Sequence, residues 1–263
     1  MLFKFKKNFI ITLRGRKLSS NINIKENELS QKADLLRNEN LYKEAVGLYL
    51  NAILLDRNSA ESYFGLGLCY KNLGDYKKAI QYLEKAVSIK DDYYDAFFEL
   101  GVCNQLEEMN CKAIKCFIKA IQIKPDSTEA ILQLGICHEI CEENELALMI
   151  YQKLIENNPE YVKAYNQKSA LLMKMEKYKE ASATYNNLLK IDAKNSDAYA
   201  GIGVCFEKLG KYSAAGRYYR KFLSLNPFSS EREFIYNRLG KIQQNRTSDI
   251  FKKKNAPILM LCK

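Results

Sequence analysis

The first sign of possible ligand binding in this chain is a group of three closely spaced glycines: Gly65, Gly67 and Gly74. They lie in the stretch GLGLCYKNLG, and a similar stretch, GIGVCFEKLG, follows at residues 201–210. Glycine loops that cradle phosphates have the pattern G-x-G-x-x-G or G-x-x-x-x-G-K-S/T, placed between a strand and a helix. Neither pattern is present, and the flanking residues have helical spacing. We therefore interpret Gly67 as a packing residue, and we predict no nucleotide or other cofactor site.

Cysteine is the second residue type that could do chemistry, and the chain has eight of them. The densest group is Cys137, His138 and Cys141, with Cys111 and Cys116 nearby in sequence. Two cysteines four residues apart on a helix can share a metal ion. However, the paired spacing of a zinc site is missing. We expect buried thiols in a reducing compartment, and we predict no metal site.

Nothing in the sequence assembles a nucleophile with a general base. His138 is the only histidine, and no serine, cysteine or carboxylate is placed beside it as a catalytic triad requires. The paired acids fall between predicted helices, where solvated carboxylates are ordinary: Asp91-Asp92, Glu107-Glu108 and Glu142-Glu143. We therefore predict no catalytic residues and no enzymatic activity.

A period of 34 residues runs through most of the chain. Alanine recurs at this spacing: Ala45, Ala79, Ala113, Ala147, Ala181 and Ala215. An aromatic residue or leucine recurs four positions later: Tyr49, Leu83, Phe117, Tyr151, Tyr185 and Tyr219. The frame continues without insertion or deletion through six units: 26–59, 60–93, 94–127, 128–161, 162–195 and 196–229. The sequence therefore predicts a repeat fold over residues 26–229.

Each unit has the pattern of two helices joined by a short turn. In the second unit, apolar residues keep helical spacing on both sides of Gly74, which suits the left-handed end of a first helix. Pro125, Pro159 and Pro227 share one frame position, just past a second helix. Because one helix pair cannot bury its own apolar face, neighbouring pairs must stack. We predict an all-α solenoid, that is, an α-α superhelix of six helix-turn-helix repeats.

The repeat resembles the tetratricopeptide repeat. The residues that carry the resemblance in the second unit are Tyr63, Leu66, Gly67, Tyr70, Ala79, Leu83 and Ala86. The sixth unit matches with Tyr199, Ile202, Gly203, Phe206, Ala215, Tyr219 and Pro227. Two units depart from the pattern, because Lys32 and Lys168 replace an apolar residue. We expect the first and fifth repeats to pack less tightly as a result.

The two ends of the repeat array differ. Residues 230–245 place Ile235, Leu239 and Ile242 on one helical face, which predicts a capping helix that covers the last repeat. The start of the array has no evident cap, so a partner or residues 1–25 could cover it. Residues 246–263 form a basic tail whose apolar part is too short to span a bilayer.

The resemblance implies a concave groove lined by the first helices of successive repeats. It does not extend to the Lys/Asn clamp with which some members grip chaperone C-termini, because the clamp positions hold other residues. The groove positions instead hold an apolar stripe: Phe64, Leu68, Phe98, Val102, Leu132 and Ile136. Acids accompany the stripe: Glu61, Asp95, Glu99 and Glu129. The stripe fits either tighter packing between helices or an interface, and the acids also fit helix N-termini.

We predict from this groove a protein-interaction scaffold or adaptor that receives an apolar peptide or helix with basic flanks. An organellar RNA-associated protein is the alternative, suggested by the net charge of +10. The charge, however, sits at the two ends of the chain, and the groove positions are apolar and acidic. Nucleic acid is therefore the less favoured partner.

The N-terminal segment, residues 1–25, carries seven Lys/Arg and no acid. Leu2, Phe5, Phe9 and Leu13 fall on one helical face, and an Arg two residues before the Leu18–Ser19 bond fits a matrix-peptidase site. This resembles a mitochondrial presequence. A solvated basic tail on a cytoplasmic protein, or a segment that folds back onto the groove, are the alternatives.

Overall fold

The computed structural model describes residues 24–244, and within them it contains thirteen α-helices and no strand. Helix α1 covers 24–38 and α13 covers 232–244. The helices between them are α2 (Tyr42–Leu55), α3 (Ala60–Asn72), α4 (Tyr76–Ile89), α5 (Tyr94–Leu106), α6 (Asn110–Ile123), α7 (Thr128–Ile140), α8 (Asn144–Asn157), α9 (Val162–Lys174), α10 (Tyr178–Ile191), α11 (Ser196–Lys208) and α12 (Tyr212–Leu225). The predicted targeting segment and the basic tail lie outside the described residues, apart from the last two residues of the former.

The helices group into two compact units, of which the first ends at Cys141 and the second begins at Glu142. In the first unit, each helix from α2 to α7 packs against the next one along the chain. The second unit repeats this arrangement from α8 to α12. The predicted all-α solenoid of consecutive helix pairs is thereby confirmed as the fold class.

Each pair is held together by small residues that let its two helices approach closely. The alanines of the 34-residue series are all fully buried. At Gly67, an added β-carbon would lie 2.7 Å from Cγ of Leu83, a separation that real side chains do not show. Gly101 and Gly203 are equally close to Phe117 and Tyr219. The interpretation of Gly67 as a packing residue is therefore correct.

The turn inside each pair requires a left-handed residue. Gly74 has φ +79° and Gly210 has φ +71°, which confirms the predicted helix end at Gly74. The amide of Asp75 bonds back to the carbonyl of Tyr70 and so closes the last turn of α3. The equivalent position in the other four pairs holds a residue with a β-carbon and the same positive φ: Asn40, Glu108, Glu142 and Glu176.

Helix α1 ends the stack of described helices, and three of four residues on its outward face are polar. Glu28, Gln31, Lys32 and Leu35 of α1 are exposed, whereas the equivalent residues of α3 are buried: Ser62, Gly65, Leu66 and Cys69. The difference arises because α2 packs over α3, while no described helix precedes α1. The charge of Lys32 therefore remains in solvent, and the expectation that the first repeat packs less tightly stays a prediction.

Lys168 differs from Lys32, because it lies half-buried within the second unit. Its ammonium group donates a hydrogen bond to the side-chain oxygen of Gln152. Burial lowers the pKa of Lys168, and the nearby carboxylates of Glu180 and Glu156 oppose that shift. A half-buried cation thus occupies a position that holds an aliphatic side chain in four other repeats: Leu66, Leu100, Leu134 and Ile202.

At the other end, α13 covers the last pair. Ile235 and Ile242 are buried against Tyr219 and Phe222 of α12, with Leu239 beside them. The side chain of Arg238 also donates to Glu207 of α11 at 2.8 Å. No helix among residues 24–244 is long and apolar enough to cross a membrane.

Candidate functional site

The buried cysteines are poorly suited to chemistry. Cys69, Cys103, Cys137 and Cys205 are fully buried free thiols. Burial raises the pKa of Cys137 to about 12, so this thiol stays protonated at neutral pH and is a weak metal ligand and nucleophile. Within the described part of the chain, no group of three His, Cys, Asp or Glu side chains could hold a metal ion.

The first helices α3, α5 and α7 of the first unit carry the predicted groove residues. Ser59 and Ser127 start α3 and α7 by accepting hydrogen bonds from the amides of Ser62 and Ala130. On α5, Phe98 and Val102 are four residues apart and therefore lie on one face. The equivalent residues are Leu132 and Ile136 on α7, and Phe64 and Leu68 on α3.

The six apolar groove residues do not share one degree of exposure. Leu68 and Leu132 are buried, with 8% and 3% of their surface exposed. They therefore contribute to packing within the unit. Phe64, Phe98, Val102 and Ile136 are half-buried and leave part of each side chain at the surface.

Two apolar residues extend this surface and were missed by the sequence reasoning. Leu106 on α5 and Ile140 on α7 are 51% and 50% exposed. Each lies four residues beyond a predicted groove residue, so Phe98, Val102 and Leu106 continue one helical row. That i, i+4, i+8 spacing was the available signal. We call the following residues the first-helix surface: Phe64, Phe98, Val102, Leu106, Ile136 and Ile140.

The two phenylalanines of this surface are held by other aromatic rings. Phe64 contacts Tyr93 with ring centroids 5.0 Å apart. Phe98 stacks on Tyr94 at 6.1 Å and meets the edge of Phe117 at 5.8 Å. These contacts fix the orientation of both rings, so the surface they present is preorganised.

The predicted acids rim the same helices, and two of them form ion pairs. Glu61 lies 3.6 Å from Lys90, and Glu99 lies 2.7 Å from Lys71. Asp95 is exposed in the first turn of α5, and Glu129 is half-buried in the first turn of α7. First-turn carboxylates also stabilise the helix through its dipole, so these acids have a structural role beside any binding role.

Carboxylates lie near Tyr93 at this rim, and they affect the pKa of its hydroxyl. Burial, with a smaller contribution from the carboxylates of Glu61, Asp95 and Asp34, raises the pKa of Tyr93 to about 12, and Arg37 opposes this shift weakly. Because Tyr93 contacts Phe64, these carboxylates lie near the aromatic end of the first-helix surface. Lys90 lies 4.6 Å above the Tyr93 ring, which shows that the ring accepts a cation.

Near this rim, three side chains of the first helix pair are joined by hydrogen bonds. The hydroxyl of Tyr49 donates to Asp34 at 2.7 Å, and Arg37 donates to the Tyr49 oxygen at 3.2 Å. Arg37 also pairs with Asp34 at 2.9 Å. These bonds hold the Asp34 carboxylate in place near Tyr93.

The second unit has no comparable apolar surface on its first helices. Its equivalent residues include Ala170, Ala200 and Val204, which are small. The large exposed apolar side chains of groove positions therefore concentrate in the first unit.

Comparisons with known proteins agree on the repeat. Two family models, both described as tetratricopeptide repeat, match residues 60–93 and 167–230. No curated protein sequence matches the chain. Many solved structures share its fold.

Three solved structures illustrate the likeness. The C-terminal part of a TPR repeat-containing protein from Cytophaga hutchinsonii is 18% identical with a TM-score of 0.68, covering 75% of this chain and 79% of that one. The pilF protein of Pseudomonas aeruginosa is 16% identical with a TM-score of 0.63, covering 82% and 99%. YrrB, described as a TPR protein with an unusual peptide-binding site, is 20% identical with a TM-score of 0.57, covering 72% and 97%. At these identities the likeness shows the fold alone.

Proposed function

Because this chain belongs to the tetratricopeptide repeat family, we propose that it is a non-enzymatic interaction scaffold that binds an apolar helix or peptide on its first-helix surface. The main support for this proposal is that Leu106 and Ile140 are exposed. They lie beside three half-buried apolar residues: Phe98, Val102 and Ile136. Aligned apolar side chains of this kind usually mark an interface. Burying about 300 Å² of apolar surface would contribute about 7 kcal/mol before association costs.

The partner we propose carries basic residues beside its apolar ones. The argument is charge complementarity, because Glu61, Asp95 and Asp34 surround the Phe64–Tyr93 end of the surface. Complementary charge speeds encounter and sets the register of a bound helix. The peptide-binding site ascribed to YrrB, a protein of the same fold, also supports peptide binding here.

The test replaces Leu106 and Ile140 together by glutamate in the full-length protein. We expect the protein to lose its main co-purifying partners while its helical circular dichroism and melting temperature stay close to wild type. The matched control places the same two charges at Leu50 and Leu54 of α2, which are exposed apolar residues on a second helix. If both variants keep the same partners as the wild type, the first-helix surface is not the binding site.

An RNA-associated role is the second candidate, and the end of the second unit favours it. Residues 208–244 contain eight Lys/Arg and two acids, and Phe228 and Phe234 are exposed. Exposed aromatic rings among cations suit single-stranded RNA, which binds by stacking and charge. A salt-dependent mobility shift with single-stranded RNA, weakened by Phe234→Ala, would support this role. No shift at low salt would exclude it.

For location, we propose the mitochondrion, on the composition of residues 1–20 and the matrix-peptidase pattern at Arg16-Lys17-Leu18-Ser19. Fusing residues 1–25 to a fluorescent protein tests this. Co-localisation with a mitochondrial dye is expected, and a diffuse cytosolic signal would contradict the proposal.

A further inference from the structure

We infer that residues 1–23 of the chain are themselves a ligand of the first-helix surface and cover it in the intact protein. This inference rests on the proposed function, since it names an occupant and a regulation for the same surface. An external partner would then compete for the surface with residues 1–23, which are part of the same chain.

Charge is the first argument. Residues 1–23 contain six Lys/Arg and no acid, whereas residues 24–141 contain eighteen Asp/Glu and fourteen Lys/Arg. Within that unit, the carboxylates of Asp34, Glu61 and Asp95 lie near Tyr93, and Asp95 is exposed in the first turn of α5. The basic end of the second unit would repel the segment, so charge selects the first unit.

Apolar pattern is the second argument. Leu2, Phe5, Phe9 and Leu13 are spaced for one face of a helix, with Lys4, Lys7 and Arg14 roughly opposite and Lys6 and Arg16 on or beside the apolar side. A helix of this kind would place an apolar row, about 16 Å long from residue 2 to residue 13, against Phe98, Val102, Leu106, Ile136 and Ile140. Lys6 and Arg16, on or beside the apolar side, would then lie nearest the acidic rim.

Tethering is the third argument. The segment joins α1, which belongs to the same unit as the surface. Twenty-three residues reach about 75 Å when extended or about 35 Å as a helix. First helices of adjacent repeats are about 10 Å apart, which places α5 and α7 about 20 Å and about 30 Å from α1. Residues 14–23, which join the apolar row to α1, span about 33 Å when extended, so the row reaches both helices. A tethered ligand has an effective concentration in the millimolar range, so even a weak contact would be occupied.

The consequence is that the surface opens when the segment is removed or displaced. Cleavage after Leu18 would remove all four residues of the apolar row, so processing would expose the surface. A basic, apolar segment of a partner protein could instead displace it by competition.

The experiment uses a fluorescently labelled peptide of residues 1–20 as the probe. Two full-length proteins are compared by fluorescence polarisation: the wild type, and a variant with Phe5→Glu and Phe9→Glu, which frees the surface. We expect the probe to bind the variant at least tenfold more tightly than it binds the wild type. Adding Leu106→Glu and Ile140→Glu to the variant should weaken the probe at least tenfold, whereas adding Leu50→Glu and Leu54→Glu should not.

A peptide with the same residues in scrambled order is the charge-matched control, and it should bind the variant at least tenfold more weakly than the probe. Equal affinity of the probe for both full-length proteins, or equal binding of the scrambled peptide, would overturn the inference. So would an absence of probe binding to either protein. If these results coincide with partner loss in the Leu106→Glu/Ile140→Glu protein, only this inference fails and the proposed function stands.

Discussion

The ring of Tyr49 lies so close to Gly65 that a β-carbon at residue 65 would be 2.3 Å from Cζ of the tyrosine. Tyr49 belongs to α2 and Gly65 to α3, so the contact joins one helix pair to the next. The same relationship holds between Tyr185 and Gly201, where the separation would be 2.4 Å. At these two places the tyrosine ring of one pair occupies the space that a β-carbon of the following pair would need. The position after Tyr151 differs, since it holds Gln167.

Replacing Gly65 by alanine should destabilise the protein by about 1–3 kcal/mol, because the new methyl group overlaps the Tyr49 ring. A loss of stability would be informative, because alanine in a helix interior is otherwise favoured over glycine by about 1 kcal/mol. Urea unfolding followed by circular dichroism measures the change.

The companion variant is Tyr49→Leu. One repeat later, Leu83 occupies the position equivalent to Tyr49, and Glu99 occupies the position equivalent to Gly65, so a leucine leaves room for a side chain there. In the Tyr49→Leu background, Gly65→Ala should cost less than half as much as in the wild type. An equal cost in both backgrounds would show that the tyrosine is not what requires the glycine.

Replacing Glu108 or Glu176 by glycine should stabilise the protein. Both have a left-handed backbone, with φ values of +59° and +58°, which costs a residue with a β-carbon about 1 kcal/mol. We expect a gain of about 0.5 kcal/mol per site after the flexibility of glycine is included, measured as a higher urea midpoint. The control is Glu107→Gly, next to one site but with φ −89°, where a gain would contradict the explanation.

Lys168→Leu should stabilise the second unit by about 1 kcal/mol, because an apolar side chain replaces a half-buried cation. Lys174→Leu, at an exposed position of the same helix, is the matched control and should change stability little. The stability of the wild type should also depend on pH through Lys168. Its folded-state pKa is lowered, so the unfolded chain binds more protons between the folded value and the ordinary value of about 10.4.

The contribution of Lys168 to stability therefore increases as the pH rises through that window, and it is least favourable at lower pH. The stability difference between the Lys168→Leu protein and the wild type should shrink between neutral pH and about pH 10. A difference that stays constant with pH would show that the cation is not the cause.

The cysteines should divide sharply by reactivity. Cys111 is exposed, whereas burial raises the pKa of Cys103 and Cys137 to about 12 and of Cys69 and Cys205 to about 11. With the half-buried Cys116 and Cys141 and with Cys262 replaced by serine, a thiol reagent at pH 7.5 should show one fast phase, which Cys111→Ser removes. Rapid labelling of the four buried thiols in folded protein would contradict the packing described for them.

The repeat architecture could be predicted from the sequence because its contacts are local. Each helix pair touches only its neighbours. Close packing and turn geometry are therefore indicated by residues at fixed positions of the 34-residue period, namely the alanine series, Gly67 and Gly74. The fold class, the packing role of Gly67 and the left-handed turn at Gly74 needed no knowledge of distant residues.

The exposure of individual side chains was decided only by the tertiary structure. Lys32 occupies an apolar position of the repeat, yet it lies in solvent because no described helix packs over α1. Leu68 and Leu132 are buried while Leu106 and Ile140 are exposed, although all four belong to the same kind of helix. Frame position determines which way a side chain points along its helix, but the residues of neighbouring helices determine whether anything covers it.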